Sequence, residues 1–174
     1  MKKVISYATL AVIGLIGIQA ANAATTTGTL TVKATVAKGC SVNTDASGTV
    51  ADAVLDFGTI TSLTANVDGD TTTSSGTSIK VLCNNGTAYT VAFGAGNNFL
   101  SGVRRMAGGS SEFIPYNLYL TSTRATALAV DGTTASITGN GTPQTLNVYG
   151  RIPAGSVLPT AGNYTDAVTL TVTY

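Results

Sequence analysis

The sequence predicts an all-β domain, a sandwich or barrel of roughly seven or eight short strands. Three observations carry this reading. Charged residues make up only 10% of the chain, while Thr, Ser, Gly, Ala and Val dominate, so helix formers are scarce and β-branched and turn residues abundant. Short apolar–polar alternations recur between turns rich in Gly, Asn, Asp and Ser. Beyond residue 23 no segment repeats with a helical period.

In chain order, residues 1–23 read as a signal peptide. Lys2 and Lys3 supply the basic start, residues 4–18 an almost wholly apolar run, and Ala21-Asn22-Ala23 the small-x-small cleavage site. The run is too short for a retained membrane span, and no Cys stands at the cleavage point to take a lipid. The mature chain is expected to begin at or near Ala24 in an oxidising compartment.

Residues 24–36 form an extension, and within it residues 28–36 alternate. Leu30, Val32, Ala34 and Val36 fall on one side of an extended chain, and Thr29, Thr31, Lys33 and Thr35 on the other. Such a strand buries one face, either in its own sheet or in that of a neighbour. Residues 37–174 make a single domain with no internal repeat. A short strand is expected at 40–42, a loop over 43–50, and a strand over 54–60 with Leu55 and Phe57 on one face. Residues 64–76 read as a solvated turn, because Asp68-Gly69-Asp70 alone falls short of a calcium loop.

Residues 78–83 and 88–93, joined by Asn84-Asn85-Gly86, read as a hairpin. Residues 94–109 read as a loop whose Arg104-Arg105 pair is too short to hold a partner, and whose Gly94-Ala95-Gly96 lacks the helix of a phosphate cradle. Residues 113–120 form an aromatic strand with Ile114, Tyr116, Leu118 and Leu120 on one face. A strand is expected over 146–152. A long closing strand over 164–174 has Tyr164, Val168, Leu170, Val172 and Tyr174 on its even face, interrupted by Asp166.

Composition narrows the function. Seven basic against eight acidic residues after position 23 leave a net charge of about −1, which supplies neither a nucleic-acid face nor a polybasic membrane patch. The chain has no His, which removes the usual catalytic triads and His-ligated metals. Cys40 and Cys83 are the only cysteines, and in an exported chain they are expected to pair, for a gain on the order of 4 kcal/mol. No catalytic residue, cofactor site or metal site is expected. Function should reside in backbone edges and apolar strand faces.

Several stretches together resemble the spore coat protein U domain family, which includes pilin subunits of archaic chaperone–usher pili. They are Gly39-Cys40-Ser41-Val42, Asp56-Phe57-Gly58, Val81-Leu82-Cys83, Arg105-Met106, Tyr116-Asn117-Leu118-Tyr119, Val148-Tyr149-Gly150-Arg151-Ile152-Pro153, and the run from Gly162 through Asn163-Tyr164-Thr165-Asp166 to Tyr174. The resemblance implies an incomplete immunoglobulin-like sandwich, the pilin fold, completed by a donor strand from a neighbouring subunit.

On that reading Leu30, Val32, Ala34 and Val36 are the plugs of the donor strand. Val168, Leu170, Val172 and Tyr174 then border the open groove and meet the chaperone. The implied partners are a periplasmic pilus chaperone, an outer-membrane usher, and other copies of this or related pilins, with no nucleic acid and no membrane insertion. The implied role is a structural subunit of a surface pilus, exported through the periplasm and serving adhesion and biofilm growth. A tip adhesin would carry a further binding domain ahead of this one. Alternatives are a coat protein of the same fold that forms no pilus, and a small outer-membrane β-barrel.

Overall fold

The computed structural model describes residues 24–42, 52–72, 77–109 and 111–174. The signal-peptide reading of 1–23 and the loop expected over 43–50 lie outside the described residues. Val36–Tyr174 is one compact unit, and the described residues 24–35 belong to a separate one.

The described residues contain no helix. The strands in chain order are β1 (Cys40–Val42), β2 (Val67–Asp70), β3 (Ile79–Cys83), β4 (Ala88–Phe93), β5 (Arg104–Ala107), β6 (Phe113–Tyr119), β7 (Gly132–Thr133), β8 (Ile137–Thr138), β9 (Gln144–Leu146), β10 (Tyr149–Ile152) and β11 (Leu170–Thr173). They assemble into three open antiparallel sheets, ordered β1-β3-β9, β2-β10-β6-β5 and β11-β4-β7, with β8 also on β4. The longest strand among the described residues has seven residues, short of the roughly 9–11 needed to cross a bilayer. The open sheets among the described residues are not the closed barrel of the alternative reading.

The best-read strands are those with the cleanest alternation. Ile79, Val81 and Cys83 of β3, Tyr89, Val91 and Phe93 of β4, and Ile114, Tyr116 and Leu118 of β6 all point into one core, joined by Val148 and Ile152. Full burial of each of these aliphatic or Phe side chains contributes roughly 1.5–3 kcal/mol.

Several expected elements differ in the structure. Residues 78–93 are not a hairpin, because β3 and β4 belong to different sheets. Gly86, at φ 80°, donates its N–H to the Gly139 carbonyl at 2.9 Å. That bond engages the turn with the 139–141 segment, and β3 and β4 meet through side chains in the core instead of a ladder. The strand expected over 146–152 is broken into β9 and β10, which serve different sheets. Buried Thr71 holds the break: its Oγ1 accepts the Val148 N–H at 3.0 Å, and its own N–H donates to the Val148 carbonyl at 3.0 Å.

Residues 54–60 form two isolated bridges, Val54 with Thr77 and Asp56 with Asp70, instead of a strand. Asp56 Oδ1 accepts the Gly58 N–H at 2.8 Å, and Gly58 at φ 68° turns the chain out of a ladder. Leu55 and Phe57 nevertheless share a half-buried face. The solvated turn expected over 64–76 contains β2. Asp68 earns its place there by accepting two bonds from Arg151, at 2.7 and 2.8 Å, with Arg124 3.5 Å away.

The loop expected over 94–109 contains β5, and Arg104 is buried within it at 5% exposure. Its guanidinium donates to the carbonyls of Gly94 (3.0 Å), Leu128 (2.7 Å), Phe93 (3.0 Å) and Ala129 (3.0 Å). Burial pulls its pKa downward, against the raising pull of Tyr116, Asp131 and Asp166. Four fixed acceptors suit the planar, five-donor fork of Arg and not the point charge of Lys.

The opening stretch carries no strand over the described residues 24–39. Leu30, Val32 and Val36 are 86%, 82% and 80% exposed. Alternation specifies which side chains a strand would bury, while the sheet that buries them must come from elsewhere.

Two outcomes follow for stability. Arg104→Met removes four hydrogen bonds and leaves the Gly94 and Leu128 carbonyls without their donor, while those of Phe93 and Ala129 keep the N–H groups of Asp131 and Gly132. It should cost about 3 kcal/mol or more in denaturant unfolding, with Arg104→Lys recovering only a minor part. The Arg151 hydrogen bond holds the Asp68 carboxyl below its ordinary value, aided by the charges of Arg124 and Arg151 and opposed by burial. A depressed carboxylate stabilises above its unfolded pKa of about 3.9 and loses that contribution as pH falls through the folded value. The stability difference between wild type and Asp68→Asn should therefore be present at about pH 6 and vanish on acidification below that range. It should stay under about 1 kcal/mol, because the pair is solvent-screened.

Candidate functional site

Among the described residues the core is covered on most sides by ladders and open along one. Two rims define the opening. The first is residues 53–60, held by isolated bridges; the second is residues 158–170, which lead into β11. One end of the groove is a cavity of about 400 Å³ floored by Ile79, Phe93, Tyr116, Leu118 and Val148. A second cavity of about 670 Å³ continues it past Ile114, Leu158 and Pro159. Leu55, Asp56, Phe57, Met106, Tyr164 and Thr165 line both, so the two are lengths of one groove.

The second rim has the geometry of an unfinished sheet. Thr165 exchanges both backbone bonds with Ala107, at 2.9 and 3.0 Å, and the Thr169 carbonyl accepts the Gly94 N–H at 2.9 Å. Leu170 to Thr173 then pair with Phe93 to Thr90. In an antiparallel ladder alternate residues turn their backbone groups to the partner, so the odd-numbered residues face β5 and β4. Tyr164, Asp166, Val168, Leu170 and Val172 turn theirs to the opposite edge, where no strand pairs among the described residues. The same even-numbered side chains point inward and are half-buried, while Thr165, Ala167, Thr169, Thr171 and Thr173 are exposed. Side-chain pockets and unused hydrogen-bonding groups thus lie along one line. The ladder of the long strand expected over 164–174 is confined to β11 and the single bridge at Thr165. Tyr174 at its end is 59% exposed.

Asp166, the polar exception on the even face, turns out to be the pin of this rim. Its Oδ1 accepts the N–H of Asn97 (2.9 Å), the N–H of Asn98 (3.2 Å) and Asn98 Nδ2 (3.1 Å). Its Oδ2 accepts the hydroxyl of buried Tyr116 at 2.6 Å. Burial, and then the carboxylate beside it, pushes the Tyr116 pKa strongly upward, so the phenol stays a donor. Gly96 sits at φ 84°, and a Cβ there would collide with the Asp166 carboxylate, so both space and backbone demand glycine. A second pin lies further along. Glu112 Oε2 accepts the Thr160 N–H at 2.9 Å and the Tyr164 hydroxyl at 3.3 Å. The hydrogen bonds to Thr160, with a further one from Tyr164, keep the Glu112 pKa low against the opposing pull of burial.

At the start of the domain Cys40 and Cys83 are joined in a disulfide. They are also ladder partners, so the bridge ties β1 to β3 at the residue where the first strand begins. Of the residues named from sequence for the groove edge, Val168 and Leu170 line the first cavity, and Val172, beyond the second rim, packs part-buried against the core. Met106, Tyr116 and the first rim were not placed at a groove by sequence reasoning. Leu55 and Phe57 announced a shared face, but nothing local said that it would stay uncovered.

The sequence model of the Spore Coat Protein U domain matches residues 26–171. The chain belongs to the spore coat protein U domain family. One relative within reach of this spore coat U chain is Protein U of Myxococcus xanthus, 31% identical over 175 residues that cover 96% of this chain and 95% of that protein. Among solved structures it resembles a chain of the CsuC–CsuE chaperone–tip adhesion subunit pre-assembly complex from the archaic chaperone-usher Csu pili of Acinetobacter baumannii. The TM-score is 0.51 at 23% identity, covering 80% of this chain. The spore coat U chain spans 40% of the length of that solved chain, and the likeness establishes a common all-β fold with open sheets. The family is one of structural proteins, not enzymes.

The pin gives a checkable outcome. Asp166→Ala strands two backbone N–H groups and the Tyr116 hydroxyl and should cost about 2–3 kcal/mol, while Tyr116→Phe removes one charge-assisted bond and should cost about 1–2 kcal/mol. Because the two share a bond, the double variant should lose measurably less than the sum, as read by urea unfolding.

Proposed function

We propose that this chain is a structural subunit of a surface pilus assembled by a chaperone–usher route, and that its groove is filled in turn by a chaperone strand and by the extension of another subunit. The observation that carries the reading is the match between two parts of one chain. The groove offers apolar pockets and an unpaired backbone edge along the even positions of the second rim. The extension offers Leu30, Val32, Ala34 and Val36 on one face of an exposed segment.

An exposed sheet edge beside apolar surface invites strand addition, in which ladder bonds supply affinity and alternate side chains supply specificity. Leu30, Val32 and Val36 would each contribute roughly 1.5–3 kcal/mol on burial, with Ala34 adding less. An edge of this kind aggregates if uncovered, which is the physical reason for a periplasmic chaperone. Val168, Leu170, Val172 and Tyr174 are the contacts assigned to it. An outer-membrane usher, export through the periplasm after removal of residues 1–23, and a role in adhesion and biofilm growth complete the reading. The likeness to a chain from a chaperone–subunit complex of archaic pili supports it, as does family membership.

The test is polymerisation of the mature chain from Ala24. Wild type should form a ladder of multimers on a gel run without boiling. Val32→Asp, which places a charge among the plugs, should abolish the ladder while leaving the fold intact by circular dichroism. Monomers from both chains would overturn the proposal in favour of a coat protein that forms no fibre.

A further inference from the structure

The charges of the chain are unevenly divided. Residues 24–36 hold Lys33 and no acidic residue; residues 37–174 hold all eight acidic residues and six basic ones, a net charge of about −2. One of those six, Arg104, is buried on carbonyl oxygens. Lys33 of the extension is exposed. The segment read as the plug and the body read as its socket therefore carry opposite charge.

The groove rims differ in the same respect. The outward residues of the second rim, Thr165, Ala167, Thr169 and Thr171, are uncharged, and both oxygens of Asp166 accept hydrogen bonds from the protein itself. The first rim carries Asp56, which lines both lengths of the groove while its Oδ1 accepts the Gly58 N–H, and exposed Asp52 stands one residue ahead of that rim. In an extended segment whose residues 30, 32, 34 and 36 turn inward, residue 33 turns outward. Its long apolar stem can lie along a rim and carry the ammonium to a carboxylate at the edge.

Resting on the reading that the extension fills the groove of another subunit, we propose that a second copy's extension is steered there by its own positive charge, Lys33 seating against the first rim at Asp56 and against Asp52 just ahead of it. Opposite charge on the two partners raises the encounter rate and orients the approach, while the apolar plugs set how long the complex lasts. Lys33 then acts mainly on association, and Val32 on the stability of the bound state.

The test uses the mature chain carrying Val32→Asp, whose own extension is spoiled while its groove is unaltered, and a fluorescent peptide of residues 24–38 as probe. Association is followed by anisotropy at about 20 mM and about 300 mM salt, on either side of the ionic strength at which the Debye length falls below ~10 Å. The Lys33→Gln peptide should bind about threefold or more slowly than wild type at low salt and converge with it at high salt. Adding Asp52→Asn and Asp56→Asn to the groove-bearing chain should reproduce that loss and leave little further effect of Lys33→Gln. Equal rates for both peptides at low salt, with a Val32→Asp peptide still failing to bind, would overturn the electrostatic inference and leave the pilus reading standing. Failure of the wild-type peptide to bind at either salt concentration would overturn both.

Discussion

An apolar core that, among the described residues, is held by backbone ladders on most sides and left without a cover on one is the constraint on which the rest of this molecule depends. Val81, Val91, Phe93 and Ile152 are at most 1% exposed, whereas Leu55, Phe57, Val168 and Leu170 pack on the same core only part-buried. The half-buried side chains cannot retreat further, because the floor beneath them is already filled. Nor is there a strand among the described residues to lie over them. On the proposed reading, the remaining hydrophobic gain comes from the extension of another subunit.

Such a site is useful only if it keeps its shape while empty, and side chains do much of that work here. Asp166 fixes the second rim to the 97–98 turn and to Tyr116; Glu112 fixes the approach to it at Thr160. Arg104 binds the end of β4 to the 128–129 segment beneath. Each is a charged group whose bonds are satisfied by the fold itself, so none competes for the occupant. A groove preorganised in this way spends little of the binding energy on ordering its own walls.

Much of this architecture was legible in the sequence, and the boundary of legibility has physical causes. Strands β3, β4 and β6 have at least five residues of unbroken alternation, so their inward faces could be read directly. Strands β2 and β5 have four residues each. They owe their existence to partners that local pattern does not contain, such as Arg151 for Asp68 or distant carbonyls for Arg104. The Asn84-Asn85-Gly86 turn was visible, but a turn says that the chain reverses and not which sheet receives it. The groove itself was legible from family resemblance and from the even face of residues 164–174. Asp166 was noticed only as an interruption, because Tyr116 and Asn97, which explain it, lie 50 and 69 residues away.

The Cys40–Cys83 bridge stands immediately after the extension, at the first residue of a three-residue strand. In a fibre whose subunits are linked through their extensions, traction on the axis enters each domain at that point. A strand of three residues would peel from its neighbour one rung at a time, since a pull along its end loads the hydrogen bonds in sequence. The covalent bond bypasses β1 and delivers the pull to β3, whose Ile79, Val81 and Cys83 are anchored in the deepest part of the core. In such a fibre the three-residue β1 would thereby be taken out of the line of tension, and unravelling from the leading end would be arrested at the disulfide.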